Sequence, residues 1–253
     1  MIQETVSLSL TMQQNHQHTD NINRKNVLLF LQATPLFADI GNVQLKAIAQ
    51  NIAWREFAPG DIIFHEGDPG QVLYIVGSGQ VRIFVNGLDG SETSVILFGR
   101  PGEIFGELAV IDGLPRSATA VAMHPTVLYT LSRDDFRKYM QQTPQLALNF
   151  MRELSMRVRY NTRQMDSFAS LDIPQRLARK LMELAQNYGR PGEKGVHLHV
   201  SLTQTDLATL IGATRESTNK SLRDFRKQQW IAMEQGQIII RDPEALRAAA
   251  SAQ

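Results

Sequence analysis

Between Gly102 and Thr119 the chain gathers residues suited to holding a small anion. Gly102-Glu103-Ile104-Phe105-Gly106-Glu107 opens the run, Leu108 and Ala109 follow, and Arg116-Ser117 closes it. Gly106 lets backbone N–H groups approach an anion because no Cβ stands in the way. Residues 107–112 have the length of a short helix, whose first turn attracts negative charge. Arg116 carries a planar fork of donors that matches phosphate oxygens. An ionised Glu107 only accepts hydrogen bonds, so it suits a sugar hydroxyl. On residues alone a second reading stays open: Glu107 and Arg116 pair structurally in a loop that binds nothing.

A second constellation runs from Leu202 to Ile231. Ser201 or Thr203 can cap a short helix reaching about Leu210. Gly212 supplies a tight turn, and a second helix spans about Thr214 to Gln229. Ala208 permits close crossing, with Leu207, Leu210 and Ile211 expected beneath Leu222 and Phe225. That is a helix-turn-helix pattern, and Ile231–Met233 with Gln237–Ile240 would form its wing. Near the start of the second helix, Arg215 suits guanine O6/N7 and Glu216 suits cytosine N4. Lys220 can reach a guanine or a phosphate, while Arg223, Arg226 and Lys227 suit phosphates. The plainer alternative is a helical hairpin that only packs.

No chemistry of turnover emerges. There is no GxxxxGK[ST] loop, no nucleophile paired with a base, and no metal-ligand spacing. The expectation is no enzyme, no catalytic residue and no metal. His16 and His18 fall in a polar stretch, and His65 reads as a turn residue. The 253 residues contain no cysteine, which removes disulfides, thiol switches and cysteine-ligated clusters. Residues 1–171 hold 14 Lys and Arg against 16 Asp and Glu, whereas residues 172–253 hold 12 against 9. A polyanion partner is therefore sought at the C-terminal end. No apolar run reaches membrane length and no signal segment shows, so a cytoplasmic location without membrane contact is expected.

The elements that must position these residues follow from periodicity. Residues 1–25 are polar and aperiodic, and read as a disordered tail. Short helices are expected over 26–53, broken at Pro35 and Gly41. From Trp54 the period becomes that of β-strands: Ile62–Phe64, Val72–Val76, Val81–Val85, Ser94–Phe98, Thr119–Met123 and Val127–Leu131. Turn clusters such as Ala58-Pro59-Gly60-Asp61, Gly77-Ser78-Gly79 and Asp89-Gly90 separate them. Even spacing suggests a double-sheet β-roll, or jelly roll, over 26–143. A helix follows Ser132. A longer one spans 144–171, with Met151, Leu154, Val158, Asn161, Met165 and Phe168 stepping as a coiled-coil seam that predicts a homodimer. Asp172 caps the next helix, with Pro174 in its first turn. Gly189 to Gly195 reads as a loop and Val196–Val200 as a strand. The fold class is α+β, with residues 172–253 forming a winged helix-turn-helix.

The ordered run from Gly102 to Thr119 resembles the phosphate-binding cassette of cyclic-nucleotide-binding domains. Arg215-Glu216-Ser217-Thr218-Asn219-Lys220 resembles the recognition-helix start of the cyclic AMP receptor protein/FNR family. The two motifs stand in that family's order across roughly residues 26–242. The resemblance implies a regulator without prosthetic group, whose effector is a cyclic nucleotide, foremost cyclic AMP, held by Gly106, Glu107, Leu108, Ala109, Arg116 and Ser117. Asn161 and Thr162 would meet the base from both subunits, with Asn161 standing where several cyclic-AMP-binding members have Thr. Thr203, Thr214, Arg215, Glu216, Ser217, Asn219, Lys220 and Arg223 would meet DNA at a palindromic TGTGA-like site. Lys220 stands where several members have Arg. RNA polymerase would be a further partner. Cyclic di-GMP, another ligand or no ligand are the alternatives within the same architecture. Replacing Arg116 is expected to cripple nucleotide binding and leave folding intact.

Overall fold

In the computed structural model, which describes residues 26–87, 92–200, 202–234 and 236–251, the β-roll is built from two four-stranded sheets. The tail expected over 1–25, the Asp89-Gly90 turn and the cap candidate Ser201 lie outside the described residues. One sheet orders β1 (Ala53–Phe57), β8 (Thr126–Ser132), β3 (Val72–Ser78) and β6 (Ile104–Phe105). The other orders β2 (Ile62–Phe64), β7 (Thr119–Ala122), β4 (Val81–Asn86) and β5 (Glu92–Phe98). All of these pairs are antiparallel. Between the sheets lies an aromatic cluster in which the Tyr74 and Phe105 rings stack at 5.2 Å and Phe98 and Phe105 at 5.6 Å. The two-residue strand β6 escapes a period-based reading because alternation needs about four residues to show.

Helices α1 (26–33) and α2 (Asn42–Gln50), linked by a 3₁₀ turn at Pro35–Phe37, close one end of the roll. Helix α3 (Glu107–Asp112) lies between Gly106 and Gly113, whose φ values of 72° and 80° a side chain would oppose. Helix α4 (Arg133–Gln142) starts where Ser132 accepts the Asp135 N–H at 3.1 Å.

Helix α5 (Pro144–Ser170) is unbroken over 27 residues. Its first turns bury Leu146 and Phe150 in the roll, and Leu154 packs against the same core. Leu154 therefore belongs in part to its own protomer rather than wholly to a seam. Further along, Val158 and Met165 are 64% and 71% exposed, so the apolar stripe leaves the roll uncovered.

Asp172 and Gln175 form a reciprocal capping box for helix α6 (Ile173–Tyr188). The stretch expected as a loop from Gly189 pairs instead: β9 (Gly189–Gly192) runs antiparallel to β10 (Gly195–Leu198). Pro191 and two glycines hide β9 in the sequence, and an edge strand tolerates them. The expected strand Val196–Val200 ends at Leu198. Helix α7 (Gln204–Leu210), Gly212 with φ 59°, and helix α8 (Arg215–Lys227) form the helix-turn-helix. Strands β11 (Ile231–Glu234) and β12 (Gln237–Ile240) form the wing, and helix α9 (Pro243–Ser251), which the sequence reading missed, packs on α6. Leu207 and Ile211 join Leu222 and Phe225 in one core. Leu210 does not: it turns toward Phe168 and Arg176 at the hinge.

Candidate functional site

Arg116 and Glu107 both line a cavity of about 240 Å³ inside the roll. Strands β4 and β5 supply its apolar wall through Ile83, Val85, Ile96 and Phe98. Period-2 alternation aims these four at one face. Gly106, Leu108, Ala109, Ser117 and, from α5, Asn161 complete the lining. Thr162 is not brought to this cavity; its hydroxyl donates to the Val158 carbonyl at 3.0 Å.

Arg116 is 5% exposed. Its two terminal nitrogens donate to the Gly106 carbonyl at 2.6 Å and the Val72 carbonyl at 2.8 Å. The guanidinium lies over the Phe64 ring at 4.3 Å. Burial lowers its proton affinity, against the pull of Tyr74, Glu107 and Asp68. Its Nε is buried without a partner among the described residues. Gly106 is required here on two grounds: its positive φ, and the 2.5 Å that a Cβ would leave to Arg116 Nη1. Its fork thereby also fastens two backbone segments, at Gly106 and Val72.

Glu107 does not pair with Arg116. Arg157 of α5 donates to its Oε1 at 2.6 Å and to the Ile104 carbonyl at 2.8 Å. Arg157 also lies over Phe98 at 5.2 Å. Arg157 was not among the residues that the sequence pointed to for this cavity. Its position one turn before Asn161 was the available hint, since residues four apart share a helix face. The cavity thus offers apolar walls, two guanidinium groups, one carboxylate, one amide and the Ser117 hydroxyl, which is a recognition set.

The second site lies on α8. Arg215, Glu216, Asn219 and Arg223 line one cleft, together with Gln204 of α7 and Arg226. Gln204 was not anticipated; its place in the first turn of α7, facing α8, could not be read from helical period alone. Lys220 is exposed and is not among the residues that line this cleft. Thr203 and Thr214 are helix caps: Thr203 shares a capping box with Asp206, and Thr214 accepts the Ser217 N–H at 3.2 Å. Thr218 and Ser221 are buried, their hydroxyls donating to the Thr214 and Ser217 carbonyls. His65 stands exposed in the turn closed by Asp68.

Residues 54–143 match the cyclic nucleotide-binding domain, and residues 175–249 match the Crp-like helix-turn-helix domain. The chain is 32% identical over 211 residues to the CRP-like cAMP-activated global transcriptional regulator of Mycobacterium tuberculosis, covering 83% of this chain and 94% of that protein. The chain belongs to the cyclic AMP receptor protein/FNR family. This family consists of transcription regulators, not enzymes. The cyclic AMP receptor protein of Thermus thermophilus is 30% identical over 216 residues, covering 85% of this chain and 96% of that one. The fold is shared with the c-di-GMP responsive global regulator CLP of Xanthomonas campestris, at a TM-score of 0.68 and 22% identity, over 79% of this chain and 99% of that chain. As a family member, the chain carries a cyclic-nucleotide-binding roll and a DNA-binding domain. Among the described residues no helix is long and apolar enough to cross a membrane.

Proposed function

We propose that the protein is a cytoplasmic, cyclic AMP-responsive transcription activator that grips DNA as a homodimer and presents that DNA to RNA polymerase. The observation that carries the ligand assignment is the buried Arg116, with an unsatisfied Nε donor beside a small cavity. A buried donor without acceptor costs about 1–3 kcal/mol, and an anionic ligand drawn into the same corner would offset it. Gly106, Glu107, Leu108, Ala109 and Ser117 would surround the cyclic phosphate and ribose. Asn161 would face the base, and Thr162 would reach the nucleotide of the partner protomer. A cavity of about 240 Å³ is at the small end for ligand sites, which favours one nucleotide over two linked ones.

Dimerisation rests on the exposed stripe of Met151, Val158, Met165 and Phe168. Two such stripes, packed together, would set the α8 helices about 34 Å apart, one turn of duplex. Arg215 and Glu216 would read a G·C pair in each TGTGA-like half-site, and Asn219 would stand beside them. Thr203, Thr214, Ser217, Lys220 and Arg223 would hold phosphates. Calorimetric titration with cyclic AMP, cyclic GMP and cyclic di-GMP tests the ligand. Saturation by cyclic AMP with the tightest affinity is expected. Preference for cyclic di-GMP, or no heat with any of the three, would reject the assignment.

A further inference from the structure

Across the hinge, α5 and α6 are joined by a closed ring of hydrogen bonds that lies outside both sites. Lys180 of α6 is 5% exposed. Its Nζ donates to the Tyr160 hydroxyl of α5 at 2.9 Å and to Glu183 Oε2 at 2.8 Å. The Tyr160 hydroxyl in turn donates to Glu183 Oε1 at 3.1 Å. Gln164, one turn along α5, donates to Glu183 Oε2 at 3.2 Å. We propose that this Tyr160–Lys180–Glu183 ring is the joint through which occupancy of the nucleotide cavity sets the pose of the winged helix-turn-helix, with Tyr160 and Lys180 as positioning residues.

Three observations carry the proposal. Tyr160 is the chain neighbour of Asn161, which lines the cavity. Adjacent helical residues point about 100° apart, so one rigid turn of α5 shows Asn161 to the ligand and Tyr160 to α6. Helix α5 has no break between the cavity and the ring, so a shift or rotation at Asn161 reaches Tyr160 undiminished.

The ring is also directional. The Lys180–Glu183 pair lies within α6, and the links across the hinge are the hydrogen bonds that tie Tyr160 and Gln164 of α5 to it. A hydrogen bond to a charged, partly buried group is costly to break without a replacement. Apolar contacts at the hinge, such as Phe168 beside Gly212, tolerate sliding in a way that a ring of hydrogen bonds does not. Burial, and then the Glu183 carboxylate, push the Tyr160 phenol well above its ordinary range, so the hydroxyl keeps the proton that closes the ring. Finally, Tyr160 and Gln164 lie on the face of α5 that meets α6, away from the Val158 and Met165 stripe, so pairing of two α5 helices would leave the ring intact.

This inference rests on the proposed nucleotide control of DNA binding. The test measures affinity for a fluorescent duplex carrying the TGTGA-like palindrome, with and without saturating cyclic AMP, in wild type, Tyr160→Phe and Lys180→Met. Thermal melting of each protein accompanies it. The readout is the ratio of the two DNA affinities. Wild type should show a ratio of at least about fivefold, and both variants should bring it close to one. A merely structural ring would lower the melting temperature and scale both affinities alike, leaving the ratio unchanged; that result overturns the joint alone. If Lys180→Met does not fold, Tyr160→Phe decides, since it keeps the aromatic side chain and removes one hydroxyl. A wild-type ratio of one overturns the joint together with the nucleotide control on which it rests.

Discussion

A guanidinium as enclosed as that of Arg116 survives only where oriented acceptors replace water. Two backbone carbonyls do so at the terminal nitrogens, and the Nε donor has no partner among the described residues. Arg116→Leu should therefore have two effects. Cyclic AMP affinity should fall by about 2–3 kcal/mol, about 30- to 150-fold, the worth of a charge-assisted contact. Stability should fall by about 1–3 kcal/mol as the two carbonyls lose their donor. Calorimetry and denaturant melts separate the two. Unchanged nucleotide affinity in a folded variant would remove Arg116 from the site. On the DNA side, Arg215→Ala should weaken specific binding by about 1–3 kcal/mol and relax one base position. Competition with base-substituted duplexes reads this, and equal discrimination by variant and wild type would contradict it.

At the scale of elements, α5 serves two partners along its length: its own roll at Leu146 and Phe150, and open surface at Val158 and Met165. A charge placed on the open stripe has nowhere to be solvated once two stripes meet. Val158→Glu should convert the proposed dimer to a monomer in sedimentation while leaving the roll folded; a persistent dimer would place the interface elsewhere. Thr203→Ala removes the cap of α7 and should cost about 1 kcal/mol in a thermal melt. Six strands of the roll, α5 and the helix-turn-helix were legible because each repeats a period over enough residues or carries caps and glycines, whereas β1, β6 and β9 were not. Helix α9 had legible signs, Pro243 at its start and a run of alanines, and was passed over. Arg157 and the Tyr160–Lys180–Glu183 ring were not legible. They join residues 50 apart and 20 apart, and a linear pattern tells only which helix face a residue occupies, not what meets it. The alternative of a structural Glu107–Arg116 pair fails for the same reason: two charges within one cassette look paired in sequence, yet the fold gives Glu107 to Arg157 and Arg116 to carbonyls.

For the whole molecule, charge and architecture divide the labour. The roll encloses a small polar-mouthed cavity, the basic surplus lies beyond the hinge, and one continuous helix spans the distance between them. A ligand moves such an assembly only through unequal affinity for its two poses, and the same inequality obliges DNA to tighten nucleotide binding by an equal factor. The most direct measurement is a DNA titration of the wild-type protein on the palindromic duplex, with and without cyclic AMP, paired with a nucleotide titration with and without that duplex. Both should give one and the same coupling factor, at least about fivefold. A factor of one in both titrations would contradict the claim that filling the Arg116 corner governs the grip on DNA.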